Sequence, residues 1–285
     1  MGLIINTNIP ALIAQRNLRQ NTINLNQSLE KLASGYKINR AADDAAGLSI
    51  SESLRGQIRG TQKAVANAQD GVNILQIAEG ALSVISENLQ RMRELTVQAA
   101  NDTNSSSERR AIALEVQARI DDIDRIAKTT KGNNVNLLDG TASRFRIQIG
   151  ANSSITNDTL LIGDVFKNST PVSLGITTTI TAAGATGAFV NGTSARSFLN
   201  QIDAAINNVF MKRSALGAYQ NRLESTVQSL SIAIENLQAS ESRIRNVDIA
   251  SETAILTRNQ ILQQASTSIL AQANQTPSLA MQLLK

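Results

Sequence analysis

Two adjacent carboxylates, Asp43 and Asp44, sit in the stretch INRAADDAAGLSIS, between runs of small residues. Paired carboxylates can share proton work or clamp a cation, but either task needs side chains that converge. Consecutive residues of a helix do not face each other. A reactive cleft would also need further groups, and the chain has no histidine and no cysteine. Imidazole bases, thiol nucleophiles and the usual zinc ligands are therefore absent. The simpler reading is structural: Asp43 and Asp44 open the helix that runs on toward Leu54, where the helix dipole favours negative charge.

The other chemical candidates reduce in the same way. Ser28-Leu29-Glu30-Lys31 matches the S-x-x-K nucleophile motif, but S-D-N and K-T-G are missing from the sequence. Asp121, Asp122 and Asp124 are too irregularly spaced for a calcium loop and have no glycine at a turn, so a solvated helix face accounts for them. No dinucleotide, Walker A, nucleophile-elbow or H-E-x-x-H motif occurs. The expectation is a protein without catalytic, cofactor or metal residues, working through interaction.

Composition says what must position such surfaces. Apolar residues make up 42 % of the 285 residues, aromatics only 2 %, and tryptophan is absent. Leu, Ile, Val and Ala must then fill the core, which suits long, thin helix bundles. The 27 basic and 23 acidic residues give +4. The basic residues are scattered and not interleaved with aromatics, which argues against a nucleic-acid partner. No apolar run approaches the ~18 residues of a membrane helix. MGLIINTNIPALIAQ lacks the basic start and unbroken apolar segment of a secretory signal. Asn6 stands where myristoylation wants Ser or Thr.

Heptad-like spacing dominates the chain. One seam runs Val65, Ala68, Val72, Leu75, Ala78, Leu82, Ile85, Leu89, Met92 and Leu95. A second helix follows a Ser105/Glu108 capping box, with Ala113, Val116, Ile120, Ile123 and Ala127 on its inner face. A third seam extends from Phe198 through Ile202, Val209, Leu216 and Leu223 to Leu237, and Lys212 fills its one missing slot, read as snorkelling outward. A helix of that span is roughly 60 Å long, too long for a compact enzyme. Gly56, Gly60, Gly71 and Gly80 interrupt the helical pattern at about 1 kcal/mol each against alanine. Close approach of neighbouring helices or subunits would explain them.

Between the helical halves, NVNLLDGTASRFRIQIG reads as a hairpin turning at Asp139-Gly140, with Phe145, Ile147 and Ile149 alternating against polar neighbours. Residues 177–192 are small, polar and Gly-rich, an exposed loop or weak hairpin. At the ends, Leu18, Leu25, Leu29 and Leu32 form a short seam, and Ile255, Leu262, Ala265 and Ile269 another, equally thin. Four leucines bury too little to offset the ordering of about 25 residues. The two terminal helices should pair, and order fully only against other copies. Asn168-Ser-Thr170 and Asn191-Gly-Thr193 fit the sequon pattern.

The segments INTNIPALIAQRNL, LASGYKINRAADDAAGLSIS, DGVNILQIAEGAL, QRMRELTVQAAN and RNQILQQASTSILAQANQ resemble bacterial flagellin. The resemblance covers residues 1 to about 176 and 193–285. It departs from larger members at 177–192, where many carry outer domains, so a short core-only version is implied. The implied fold is mainly α: a long antiparallel helical bundle or coiled coil, with a small β-hairpin region between its halves. Residues 1–43 and 246–285 would form the inner-tube helices, packing through the two terminal seams. Residues 44–176 and 193–245 would form the outer-tube bundle, and 177–192 a short variable loop.

The implied function is the self-assembling structural subunit of the extracellular flagellar filament, exported unfolded through the flagellar type III apparatus. Partners implied by the resemblance are further copies, a secretion chaperone, the export apparatus, the filament cap and the junction proteins. LASGYKINRAADDAAG would join inner-tube helix to outer-tube bundle, with Asp43 and Asp44 pairing with Arg243 or Arg245. QRMREL resembles the segment recognised by vertebrate Toll-like receptor 5, with Arg91, Leu95 and Glu115 at matching places. A hook–filament junction protein shares terminal helices and size, and a generic coiled-coil adaptor would share the heptads. Both stay open as alternatives.

Overall fold

A computed structural model describes residues 7–141, 145–163, 166–176 and 189–282. Of the loop read at 177–192, residues 177–188 lie outside the described residues. Among the described residues, five helices and two small antiparallel sheets follow in the order α1 (Ile9–Ser34), α2 (Ala45–Ala99), α3 (Ser106–Thr129), β1 (Lys131–Gly132), β2 (Val135–Asn136), β3 (Phe145–Gln148), β4 (Thr159–Ile162), α4 (Gly192–Arg245) and α5 (Ile249–Gln282). The chain divides into two compact units, one of residues 1–58 with 235–285 and one of residues 59–234.

The unit of residues 59–234 holds the larger core. Ala68, Leu75, Ala78, Leu82, Ile85, Leu89 and Met92 of α2 are buried at the three- and four-residue spacing that keeps one helix face turned inward. Ala113, Val116, Ile123 and Ala127 of α3 meet them, as do Phe198, Ile202, Ala205, Val209, Leu216 and Leu223 of α4. Arg119 of α3 reaches Asn88 of α2, while Arg109 caps the end of α2 through the Ala99 carbonyl, so these helices run antiparallel. Arg93 bonds Asp203 and Gln220 bonds Glu79, which sets α4 antiparallel to α2 as well. Helix α3 starts with the anticipated capping box: the Glu108 N–H donates to Ser105 Oγ, and the Glu108 carboxylate accepts from the Ser105 N–H. The Ser105 N–H and the Ser105 hydroxyl, both donating to the Glu108 carboxylate, hold that carboxyl below its ordinary range.

The hairpin differs from its sequence reading. Among the described residues, Asp139-Gly140 joins no pair of hydrogen-bonded strands. Strand β3 pairs instead with β4, Ile147 opposite Leu160 and Phe145 opposite Ile162. The short β1–β2 ribbon turns at Asn133 and Asn134, both in the left-handed region that asparagine tolerates. TLLI is only four residues, and its apolar run Leu160-Leu161-Ile162 hides the alternation of burial that the strand has. Asp139 serves the loop locally, accepting from the Thr141 N–H and from Asn136 Nδ2.

In the other unit, α1 and α5 lie antiparallel. Asn8 opens α1 by accepting from the Ala11 N–H, and Gly35 closes it at φ +75°, donating to the Lys31 carbonyl. The segment Gly35–Asp44 leads from there into α2.

Candidate functional site

Two regions carry the sequence-derived interaction residues: the terminal pair with its connector, and the outer face of α2 and α3. The connector is built from charge and backbone. Lys37 N–H donates to the Arg245 carbonyl at 2.7 Å and Val247 N–H to the Gly35 carbonyl at 3.0 Å. Ile38 is buried there. Asp43 Oδ2 accepts from the N–H groups of Arg40 and Asn39, at 2.9 and 3.1 Å, and these hold its carboxyl below the ordinary range. Asp44 caps α2, its Oδ1 accepting from the Gly47 N–H at 2.9 Å. A Cβ at Gly47 would crowd the Asp44 carboxylate and Ile38 Cδ1, so a larger residue in this first turn of α2 would require those side chains to shift.

Neither aspartate pairs with the expected arginines. Arg245 reaches Glu52 instead, at 2.7 Å, with its guanidinium 4.6 Å from the Tyr36 ring centroid. Arg243 donates to Ser240 Oγ. The physical reason is that Asp43 and Asp44 already spend their oxygens on exposed backbone N–H groups at a turn and a helix start. Arg245 in turn holds the Glu52 carboxyl below its usual range. Glu52 and Tyr36 drew no attention in the sequence; an acid on the exposed side of a helix gives no sign of a partner almost two hundred residues away.

The pairing of α1 with α5 also uses other residues than the two seams. Among the described residues, the buried positions of these helices are Ala14, Ser28, Glu252, Asn259, Ser266 and Ala273. Asn21 Nδ2 donates to Ser266 Oγ at 2.9 Å and Asn8 Nδ2 to the Ala273 carbonyl at 2.7 Å. Leu18, Leu25 and Leu32 are half-buried, while Leu29, Ile255, Leu262, Ala265 and Ile269 are exposed, Ile269 at 57 %. Small and polar side chains let two thin helices approach, Leu18, Leu25 and Leu32 are partly covered, and Leu29, Ile255, Leu262 and Ile269 are left exposed.

On the bundle, Arg91 lies exposed and bonds Glu115 across the α2–α3 seam at 3.2 Å and Glu94 on its own helix at 3.0 Å. The two carboxylates raise the Arg91 pKa further. Leu95, one turn on, is 3 % exposed and belongs to the core. Of the three receptor-matching residues, Arg91 and Glu115 therefore present polar groups at the surface and Leu95 does not. Asp122 and Asp124 pair with Arg125 and Lys128 on the same helix, the solvated face expected of them. Among the described residues no cluster of carboxylates could hold a metal ion.

Lys212 departs from its reading as a snorkelling side chain. Its ammonium turns onto the segment after β4 and donates to the carbonyls of Lys167 and Asn168 and to Ser169 Oγ, at 3.2, 2.8 and 2.8 Å. Burial, with the nearby Lys167 charge, pushes it down to about 8. A lysine in an apolar seam slot is the one sequence signal that pointed here.

Two family models match the chain: the bacterial flagellin N-terminal helical region over residues 5–143 and the bacterial flagellin C-terminal helical region over residues 199–284. A flagellin from Halalkalibacterium halodurans is 47 % identical, over 99 % of this chain and 100 % of that one. The flagellar filament 33 kDa core protein of Treponema phagedenis is 42 % identical, over 99 % and 100 %. Among solved structures, a protein described as a flagellar hook-associated protein from Vibrio parahaemolyticus shares the fold at a TM-score of 0.54 and 16 % identity, over 72 % of this chain and 98 % of that one.

Proposed function

The chain belongs to the bacterial flagellin family, and from that premise we propose how it serves as a structural subunit of the flagellar filament. Copies associate through the terminal helices, with α1 and α5 forming the inner tube and the bundle of α2, α3 and α4 the outer one. The observation that carries this reading is the contrast between the two units. The bundle closes its core within one chain, whereas paired α1 and α5 leave Leu29, Ile255, Leu262 and Ile269 uncovered. Apolar side chains at helical spacing on both members of a pair gain most when further helices cover them.

The role is structural and non-catalytic. Export as an unfolded chain, a secretion chaperone on the C-terminal helix, cap and junction proteins as neighbours, and an extracellular position all follow from the family. A pair held by small and polar contacts also suits a chain that is threaded unfolded and orders on arrival. Recognition by Toll-like receptor 5 would use Arg91 and Glu115, with Leu95 holding the helix beneath them. A reporter-cell assay of Arg91→Ala monomer should give reduced signalling, and unchanged signalling overturns that assignment.

The main test is polymerisation of the full chain beside a version lacking residues 1–32 and 255–285, followed by light scattering and negative-stain microscopy. Filaments from the full chain alone are the expected result. Monomers that persist with filament seeds and precipitating salt would overturn it in favour of a junction protein or a coiled-coil adaptor.

A further inference from the structure

Lys212 is an amine that the fold withdraws from water without giving it a counter-ion. Lys37, Lys63, Lys128, Lys131 and Lys167 are exposed, whereas Lys212 is half-buried on α4. Among the described residues its partners are two carbonyls and a hydroxyl, and no carboxylate. The charge that acts on it is the like-signed one of Lys167. The neighbouring Arg213 turns to Glu79 instead, at 3.9 Å.

The hydrogen bonds around Lys212 allow its extra proton to leave. Nζ donates at 2.8 Å to the Asn168 carbonyl and to Ser169 Oγ, and at 3.2 Å to the Lys167 carbonyl. That third acceptor has a second donor, because the Ser169 hydroxyl donates to the Lys167 carbonyl at 3.2 Å. A neutral amine therefore keeps its two short bonds, strands no acceptor and gains a lone pair. Beside it a cavity of about 430 Å³ opens between α4 and the residues after β4. Leu174, Met211 and Ala215 make part of its lining apolar, and Ser173 and Asn208 add polar groups.

We propose that Lys212 is an acylation site, its amine taking a short acyl group from an acyl phosphate that enters this cavity. The Nζ lone pair attacks the acyl carbonyl carbon, so an N–C bond forms and the C–O bond to phosphate breaks. Inorganic phosphate leaves with that electron pair, and the surplus N–H proton passes to solvent. The amide keeps one N–H for the Asn168 carbonyl, and the cavity has room for the acyl chain. The burial that brings Lys212 down to about 8 supplies the nucleophile. At pH 7.5 roughly a quarter of it is neutral, against roughly one part in a thousand for an amine at 10.5. A less basic amine attacks more slowly, which offsets part of that gain.

The test incubates the folded full-length monomer with acetyl phosphate at about pH 7.5 and follows each lysine by peptide mass mapping. Lys212 should be acetylated at least about fivefold faster than Lys37, Lys63, Lys128 and Lys131, its rate levelling off above about pH 8. In concentrated urea that lead should vanish, since it belongs to the fold. Ala215→Leu and, at an exposed position of the lining, Ser173→Leu should each slow Lys212 at least about threefold by filling the cavity, with the other lysines unchanged. Equal rates for Lys212 and the exposed lysines overturn the proposal, as does a lead that survives urea. Variants in which Lys212 reacts as fast as in the parent overturn it as well, because the cavity would then play no part.

Discussion

Lys212 shows how a single side chain can link charge to stability. Its folded pKa, near 8, lies below the ordinary 10.5 of lysine. Between those values the unfolded chain binds more protons than the folded one, so stability rises with pH across that window. The displacement corresponds to on the order of 3 kcal/mol as an upper bound. Denaturant midpoints between about pH 7.5 and 10.5 should climb more steeply in the parent than in Lys212→Met, and parallel curves would refute the burial argument. Asp43 and Asp44 teach a complementary lesson. For Asp44 the role at a helix start was legible, because a carboxylate before a run of small helix-forming residues has N–H groups to accept from, whereas Asp43 serves the preceding turn through the Arg40 and Asn39 N–H groups. Their expected arginines were not found, because which cation meets which carboxylate is settled by distances that sequence does not carry.

At the scale of elements, burial followed periodicity where the core is thick. The seams of α2, α3 and α4 lie inside because a 3.6-residue repeat of Leu, Ile, Val and Ala has one way to hide. Strand pairing was less legible: β4 is four residues long, and a nearby Asp-Gly offered a more conventional turn than the one the chain uses. The partner of β3 matters for packing, since Ile147 presses onto α2 at Gly71. Gly71→Ala should therefore cost about 1–3 kcal/mol through overpacking, although alanine is the better helix former. Urea denaturation would show it, and a variant as stable as the parent would mean that Ile147 moves aside freely. Helices α1 and α5 were legible as a pair but not in their contact residues, because small and polar side chains carry almost no periodic signal.

At the scale of the whole molecule, the two units should differ in how readily they open. Amide hydrogens of residues 8–32 are expected to exchange in the monomer at least tenfold faster than those of residues 75–95, and to become protected on assembly. Equal protection in the monomer would sink the idea that the terminal helices wait for other copies. The small, polar contacts between α1 and α5 have a thermal consequence too. Parting these helices uncovers little apolar surface, so it should add little heat capacity. Assembly that covers the outward leucines and isoleucines should instead carry a distinctly negative heat-capacity change, the signature of apolar burial. Such contacts weaken in the cold. Contacts made by the terminal helices should then loosen first on chilling, and the soluble pool left at equilibrium should shrink as the solution is warmed from about 5 to 25 °C.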